Sequence, residues 1–172
     1  MRLDRNKPVP TQPLPRMTLR PYQCSVLAQA CQATHWNFWM DPGTGKTLTI
    51  TEWLKWHHQR VRIDIVVLVA PDVILSGWYD TLSSQFDSSQ FLWLDCRAGS
   101  PDSKHLTTLF ETGSCIHTGS HLTIMATTPG VIRSQLLQGT RINLTKLDRL
   151  KPYRVAYVCD ESQSICGPES GQ

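Results

Sequence analysis

No apolar run in this chain approaches the roughly 20 residues that span a bilayer, and the opening "MRLDRNKPVPTQPLP" has no apolar stretch of the secretory kind. Membrane spans and a signal peptide are set aside, and a soluble, intracellular (cytoplasmic) protein is the expectation. The six cysteines, Cys24, Cys31, Cys96, Cys115, Cys159 and Cys166, include no CxxC pair, which argues against a disulfide framework or a zinc ribbon. Charge of one sign is scarce as well. A net charge of +3 is compatible with a phosphate-bearing partner but too small to demonstrate one. Internal repeats are absent.

What is present describes one ordinary domain. The 172 residues are 40% hydrophobic and 18% charged, enough apolar surface for a core and too little charge for a disordered chain. Residues 1–17 carry Pro8, Pro10, Pro13 and Pro15 among polar and basic residues, a composition read as a flexible N-terminal arm. From residue 18 apolar periodicity takes over. "LRPYQCSVLAQACQAT" predicts a helix opened by its proline, "HWNFWM" a short buried strand, and "KTLTITEWLKWHHQR" a helix. "IDIVVLVAP" is apolar enough to be a strand covered on both faces. "DVILSGWYDTLSSQF", "DSKHLTTLFETG" with Gly113 as a stop, and "PGVIRSQLLQG" predict helices, separated by the strands "FLWLD", "HLTIMATT" and a last buried strand "YRVAYVCDE". Strands alternating with helices imply βαβ units and a parallel sheet. In "CIHTGSH", Cys115, His117 and His121 offer three metal-type ligands without an evident fourth, and a polar loop entering a strand is the favoured reading.

The decisive stretch is "MDPGTGKT", residues 40–47, between a predicted strand and a predicted helix. The pattern GxxxxGK[ST] uses glycines so that backbone N–H groups surround an oxyanion at a helix N-terminus. Gly43, Thr44 and Gly45 fit that loop, Lys46 is placed for the β and γ phosphates, and the Thr47 hydroxyl for Mg²⁺. Met40 stands where the pattern has its first glycine. Far along the chain, Asp160 and Glu161 end another apolar strand, the edge where a parallel sheet gathers its ligands. There an aspartate holds Mg²⁺, and the adjacent glutamate orients and deprotonates the attacking water. Lys46, Asp160 and Glu161 are therefore the candidate catalytic residues and Thr47 and Asp160 the candidate metal ligands, with ATP and Mg²⁺ as cofactors.

Read with three further stretches, these residues resemble the first motor lobe of superfamily two helicases, most closely the Swi/Snf-type DNA translocases. "LRPYQ" is similar to the adenine-recognition segment of that family, which makes Gln23 the adenine contact and Arg20 its support. "DPGTGKT" matches motif I, "VLVAPDVILSGWYDTL" is similar to motif Ia, "TIMATTPGVIRS" to a segment of the nucleic-acid track, and "DESQSICGPES" to motif II. Gln163 replaces a common histidine, and Ser164, Cys166 and Gly167 replace Arg, Lys and Asn, removing two basic groups. The resemblance implies an α/β fold: a RecA-like lobe of the P-loop NTPase class over residues 18–172, its mostly parallel sheet flanked by helices and truncated after the Walker B strand. Loops after Ala70 and Thr127 reach the same sheet edge as the phosphate loop, so Ser76, Thr127, Thr128 and Arg133 are candidate contacts to a nucleic-acid backbone. Trp78 reads as core rather than as a stacking platform.

In the resembling family a Ser-Ala-Thr strand lies between the loop strand and the acidic strand, and a second lobe supplies arginine fingers. The expectation is therefore a gap or a rearranged centre in the sheet, marginal stability, and a partner lobe, in this or another chain, that is needed for turnover. Two other readings fit the same residues. One is an accessory or decoy binding protein built from one lobe. The other, a small nucleotide kinase, needs clustered lid arginines, whereas Arg133, Arg141, Arg149 and Arg154 are spread over several elements.

Overall fold

A computed structural model describes residues 18–33, 36–38, 40–41, 43–60, 63–115, 121–138 and 141–160. The proline-rich arm, His117 and Glu161 lie outside these residues. Helices α1 (Pro21–Ala30) and α2 (Lys46–Arg60) precede strand β1 (Ile65–Val69). Helix α3 (Asp72–Gln85), β2 (Phe91–Asp95), α4 (Ser103–Thr112), β3 (Leu122–Thr127) and α5 (Pro129–Leu136) follow. A short antiparallel pair, β4 (Leu137–Gln138) and β5 (Arg141–Ile142), then leads through α6 (Leu144–Asp148) to β6 (Val155–Cys159).

Four strands form one parallel sheet in the order β2-β3-β1-β6. β1 sits at its centre, and all five of its residues are buried, as its unbroken run of β-branched and leucine side chains requires. Alternation along the strand serves two cores. Val66 and Leu68 join Ile50 and Leu54 of α2 and Leu75, Trp78 and Leu82 of α3 on one face. Ile65, Val67 and Val69 join Leu106, Leu109 and Phe110 of α4 and Ile132 of α5 on the other. Helices thus cover both faces, and the connections between parallel strands are made by helices, the arrangement the sequence pattern implies.

Two expectations are corrected. Among the described residues of "HWNFWM" no strand forms: Trp36, Asn37, Phe38 and Met40 have no regular structure, and Trp36 is 38% exposed. A strand is made by its pairing partner more than by its composition, and among the described residues nothing pairs with the outer edge of β6 to carry the sheet toward this segment. The last strand, β6, is buried on one face only, with Tyr157 44% exposed. β6 pairs directly with β1 from Ile65↔Val155 to Val69↔Cys159, and among the described residues its other edge, the side on which the loop strand and the Ser-Ala-Thr strand are expected, has no strand beside it. The β4–β5 pair and α6 are too short to carry a periodicity and have no counterpart in the sequence reading.

Local signals act where they were read. Gly113 ends α4 at φ 71° in the left-handed region, and its N–H bonds the Leu109 carbonyl at 3.0 Å. A Cβ there would lie 2.8 Å from the Arg149 carbonyl oxygen, so both conformation and space demand glycine. Gly113→Ala is expected to lower the unfolding free energy by about 2 kcal/mol; an unchanged urea midpoint contradicts this.

Candidate functional site

The C-terminal edge of the sheet collects the residues of interest. Gly43 and Gly45 adopt φ 78° and 81°, a backbone open to glycine, just before the first turn of α2. Between them Thr44 closes a turn: its N–H reaches the Asp41 carbonyl at 3.3 Å and its hydroxyl the same oxygen at 2.6 Å. Thr49, in the first turn of α2, donates from N–H and hydroxyl to the Gly45 carbonyl at 3.0 and 3.1 Å, tying the helix to the loop. The loop is thus a defined turn feeding a helix N-terminus, whose orphan N–H groups and positive dipole end face the same space.

Helix α1 braces that loop from outside. Gln23, 3% exposed, accepts from the Arg20 N–H at 2.7 Å and donates from Nε2 to the carbonyls of Thr44 and Gly45 at 3.0 and 3.3 Å. Tyr22 adds a hydroxyl bond to the Thr44 carbonyl. A Cβ on Gly45 would collide with Gln23 Nε2, so the second glycine also makes room for the brace. Both Nε2 donors are thus engaged, while Oε1 keeps a second lone pair. Arg20 is exposed at the start of α1.

Opposite the loop stands Asp160, directly after β6. Its N–H bonds the Val69 carbonyl at 2.9 Å, extending the β1–β6 ladder by one residue. Its carboxylate Oδ2 accepts from the Trp78 indole N–H at 2.8 Å. A cavity of about 340 Å³ is lined by Asp41, Gly43, Gly45, Lys46, Thr47 and Asp160, within the size range of ligand pockets. Lys46, Thr47 and Asp160, far apart in sequence, are therefore brought together. Asp41, Tyr22 and Trp78 join the site without having been read as part of it. Their signal was weak: an acid two residues ahead of the glycines, an aromatic beside Gln23, and a helix tryptophan that reads as core.

The donor set suits a hard cation with an anionic ligand. A hydroxyl at Thr47 and a carboxylate at Asp160 are oxygen donors of the kind Mg²⁺ takes, and Lys46 with the helix N-terminus supplies positive potential for phosphates. Nothing within 4 Å would meet a side chain at Gly43, which leaves its backbone open to a ligand. A second cavity of about 360 Å³, lined by His58, Gln59, Phe86, Ser89 and Gln90, lies toward the opposite sheet edge and has neither carboxylate nor glycine loop.

The nucleic-acid candidates separate. Ser76 on α3 and Arg133 on α5 are exposed, and Thr128 is half-buried at the N-cap of α5. Thr127 is fully buried, its hydroxyl donating to the Cys96 carbonyl at 3.2 Å. Its side chain therefore offers no surface contact, because strand alternation turns it inward at the end of β3. Arg97 at the same edge holds Asp95 in a two-point pair, at 2.8 and 2.6 Å, and also binds Asp72 at the start of α3. Among the described residues no group of three or more metal-type side chains occurs, and burial pushes the Cys115 thiol up to about 11, away from the thiolate that metals require.

The parallel sheet, the glycine turn before α2 and the carboxylate after β6 define a RecA-like lobe of the P-loop NTPase class. Within that class, residues 16–162 match the family described as type III restriction enzyme, res subunit, and the chain belongs to it. It is thus a helicase-like ATPase lobe of superfamily two. No curated protein and no solved structure gives a significant match to the chain. Among the described residues no helix is long and apolar enough to cross a membrane.

The brace makes a prediction. Gln23→Ala removes the partner of the Arg20 N–H and one bond from each of the Thr44 and Gly45 carbonyls, which keep Tyr22 and Thr49, and is expected to cost about 1–2 kcal/mol and to speed amide exchange across residues 43–47. Exchange at the wild-type rate contradicts the role given to Gln23.

Proposed function

We propose that this chain binds Mg-ATP as the ATP-binding lobe of a Swi/Snf-like, DNA-dependent translocase, grips a nucleic-acid backbone along the same sheet edge, and hydrolyses ATP only together with a second lobe. The observation that supports the reading is the single cavity lined by Lys46, Thr47 and Asp160. Gly43, Thr44 and Gly45 offer backbone N–H groups to the phosphates, and Lys46 neutralises charge on the β and γ groups. Thr47 and Asp160 are the residues that hold Mg²⁺, which when bound offsets the negative charge of the triphosphate. Glu161, outside the described residues, is assigned the water, which it orients and deprotonates. Arg20 and Gln23 are assigned the adenine side.

Ser76, Thr128 and Arg133, with the backbone rather than the side chain of Thr127, are assigned the nucleic-acid contacts. Such contacts carry no sequence information. Stepping along a strand needs a second lobe that opens and closes against this one around ATP, as in helicase-like proteins generally.

Two outcomes check the proposal. Lys46→Ala is expected to weaken Mg²⁺-dependent binding of a fluorescent ATP analogue at least about tenfold, the size of a lost charge-assisted hydrogen bond; equal binding by the variant overturns the nucleotide site. Arg133→Ala is expected to weaken DNA binding equally for unrelated sequences and to lower the slope of log affinity against log salt by about one. An unchanged slope removes Arg133 from the track.

A further inference from the structure

Trp78 has a task that packing does not explain. Its ring is 2% exposed and lies in the core between α3, α2 and the sheet, alongside Leu75, Leu82, Val66 and Leu68. Phenylalanine supplies nearly the same apolar bulk, and the indole N–H is what it lacks. That N–H is donor-only. A buried indole needs some acceptor, and the one it meets is Oδ2 of Asp160 at 2.8 Å, 82 positions away in sequence.

Asp160 is consequently held at two points by one crossover. The end of β1 fixes its backbone through the Val69 carbonyl at 2.9 Å, and α3, which leaves β1 directly, fixes its carboxylate. A carboxylate at a solvated strand end otherwise samples several rotamers and loses that freedom on taking a ligand. The nature of the donor matters equally. An arginine or lysine in the place of Trp78 would orient the carboxylate and bring a positive charge with it, whereas the indole orients it without adding a charge of its own. Carboxylates that ligate metals are characteristically held by such hydrogen bonds.

We propose that Trp78 is a positioning residue that sets the Asp160 carboxylate toward a divalent cation in the loop cavity. This rests on the Mg-nucleotide reading of that cavity. It assigns α3 a part in the site beyond covering the sheet. It also links the segment that leaves β1 toward the candidate nucleic-acid contact Ser76, two residues earlier on the same helix, to the carboxylate of the nucleotide site.

The test uses the whole chain with a fluorescent ATP analogue, titrating Mg²⁺ at fixed nucleotide and repeating the binding in EDTA. In Trp78→Phe the Mg²⁺ midpoint is expected to rise roughly tenfold, with metal-free nucleotide affinity and circular dichroism unchanged. In an Asp160→Ala background the same substitution is expected to add nothing. An unmoved midpoint, an equal loss in EDTA, or an equal effect without Asp160 each overturns the inference and leaves the nucleotide site standing. Wild-type binding that ignores Mg²⁺ overturns the metal reading and this inference together. If Trp78→Phe does not fold, the wild-type chain still decides: the Trp78 indole N–H resonance is expected to shift when Mg²⁺ is added to the nucleotide-bound protein, and a resonance that stays put overturns the proposal.

Discussion

The parallel pairing of β1 with β6 is the constraint on which the rest depends. Its register runs to Val69↔Cys159, and one further bond, Asp160 N–H to the Val69 carbonyl, carries the ladder to the carboxylate. Because the pairing is parallel, the end of β6 meets the same edge of the sheet at which α2 begins with Lys46 and Thr47. An antiparallel β6, or a slip of one residue, would turn Asp160 to the other edge or the other face. β1 can impose this register because it is buried from end to end, so neither of its faces tolerates a slip.

Around that pairing the molecule divides its labour by face and by edge. The two apolar cores stabilise the sheet, and the C-terminal edge carries the polar groups. Several of these groups are positioned by a neighbour from another part of the chain: the glycine turn by Gln23 and Tyr22 of α1, Asp160 by Trp78 of α3, Asp72 by Arg97 after β2. Bonds between elements distant in sequence make the edge a shared structure rather than a set of independent loops.

Much of this was legible in the sequence because it rests on local rules. The unbroken apolar run of β1, the start of α2 at the lysine of the glycine loop, and the left-handed stop at Gly113 follow from burial, phosphate-loop chemistry and backbone sterics respectively. Where the outcome depends on a distant partner, local reading failed. "HWNFWM" has strand composition, yet among the described residues no strand lies alongside to pair with it. Thr127 and Thr128 look alike on paper, but strand alternation buries the first against Cys96 and leaves the second at a helix start. Trp78 reads correctly as core, while the partner of its N–H is invisible without the fold.

The central claim is that the loop at Lys46 and the carboxylate at Asp160 serve one metal–nucleotide complex. The most direct measurement is a crystal structure of the chain grown with Mn²⁺ and a non-hydrolysable ATP analogue, the metal located by its anomalous scattering. One Mn²⁺ is expected on the Thr47 hydroxyl and the nucleotide phosphates, with the Asp160 carboxylate bound to it directly or through a single water. A metal on the nucleotide with Asp160 beyond that reach, or a nucleotide bound away from the glycine turn, would contradict it.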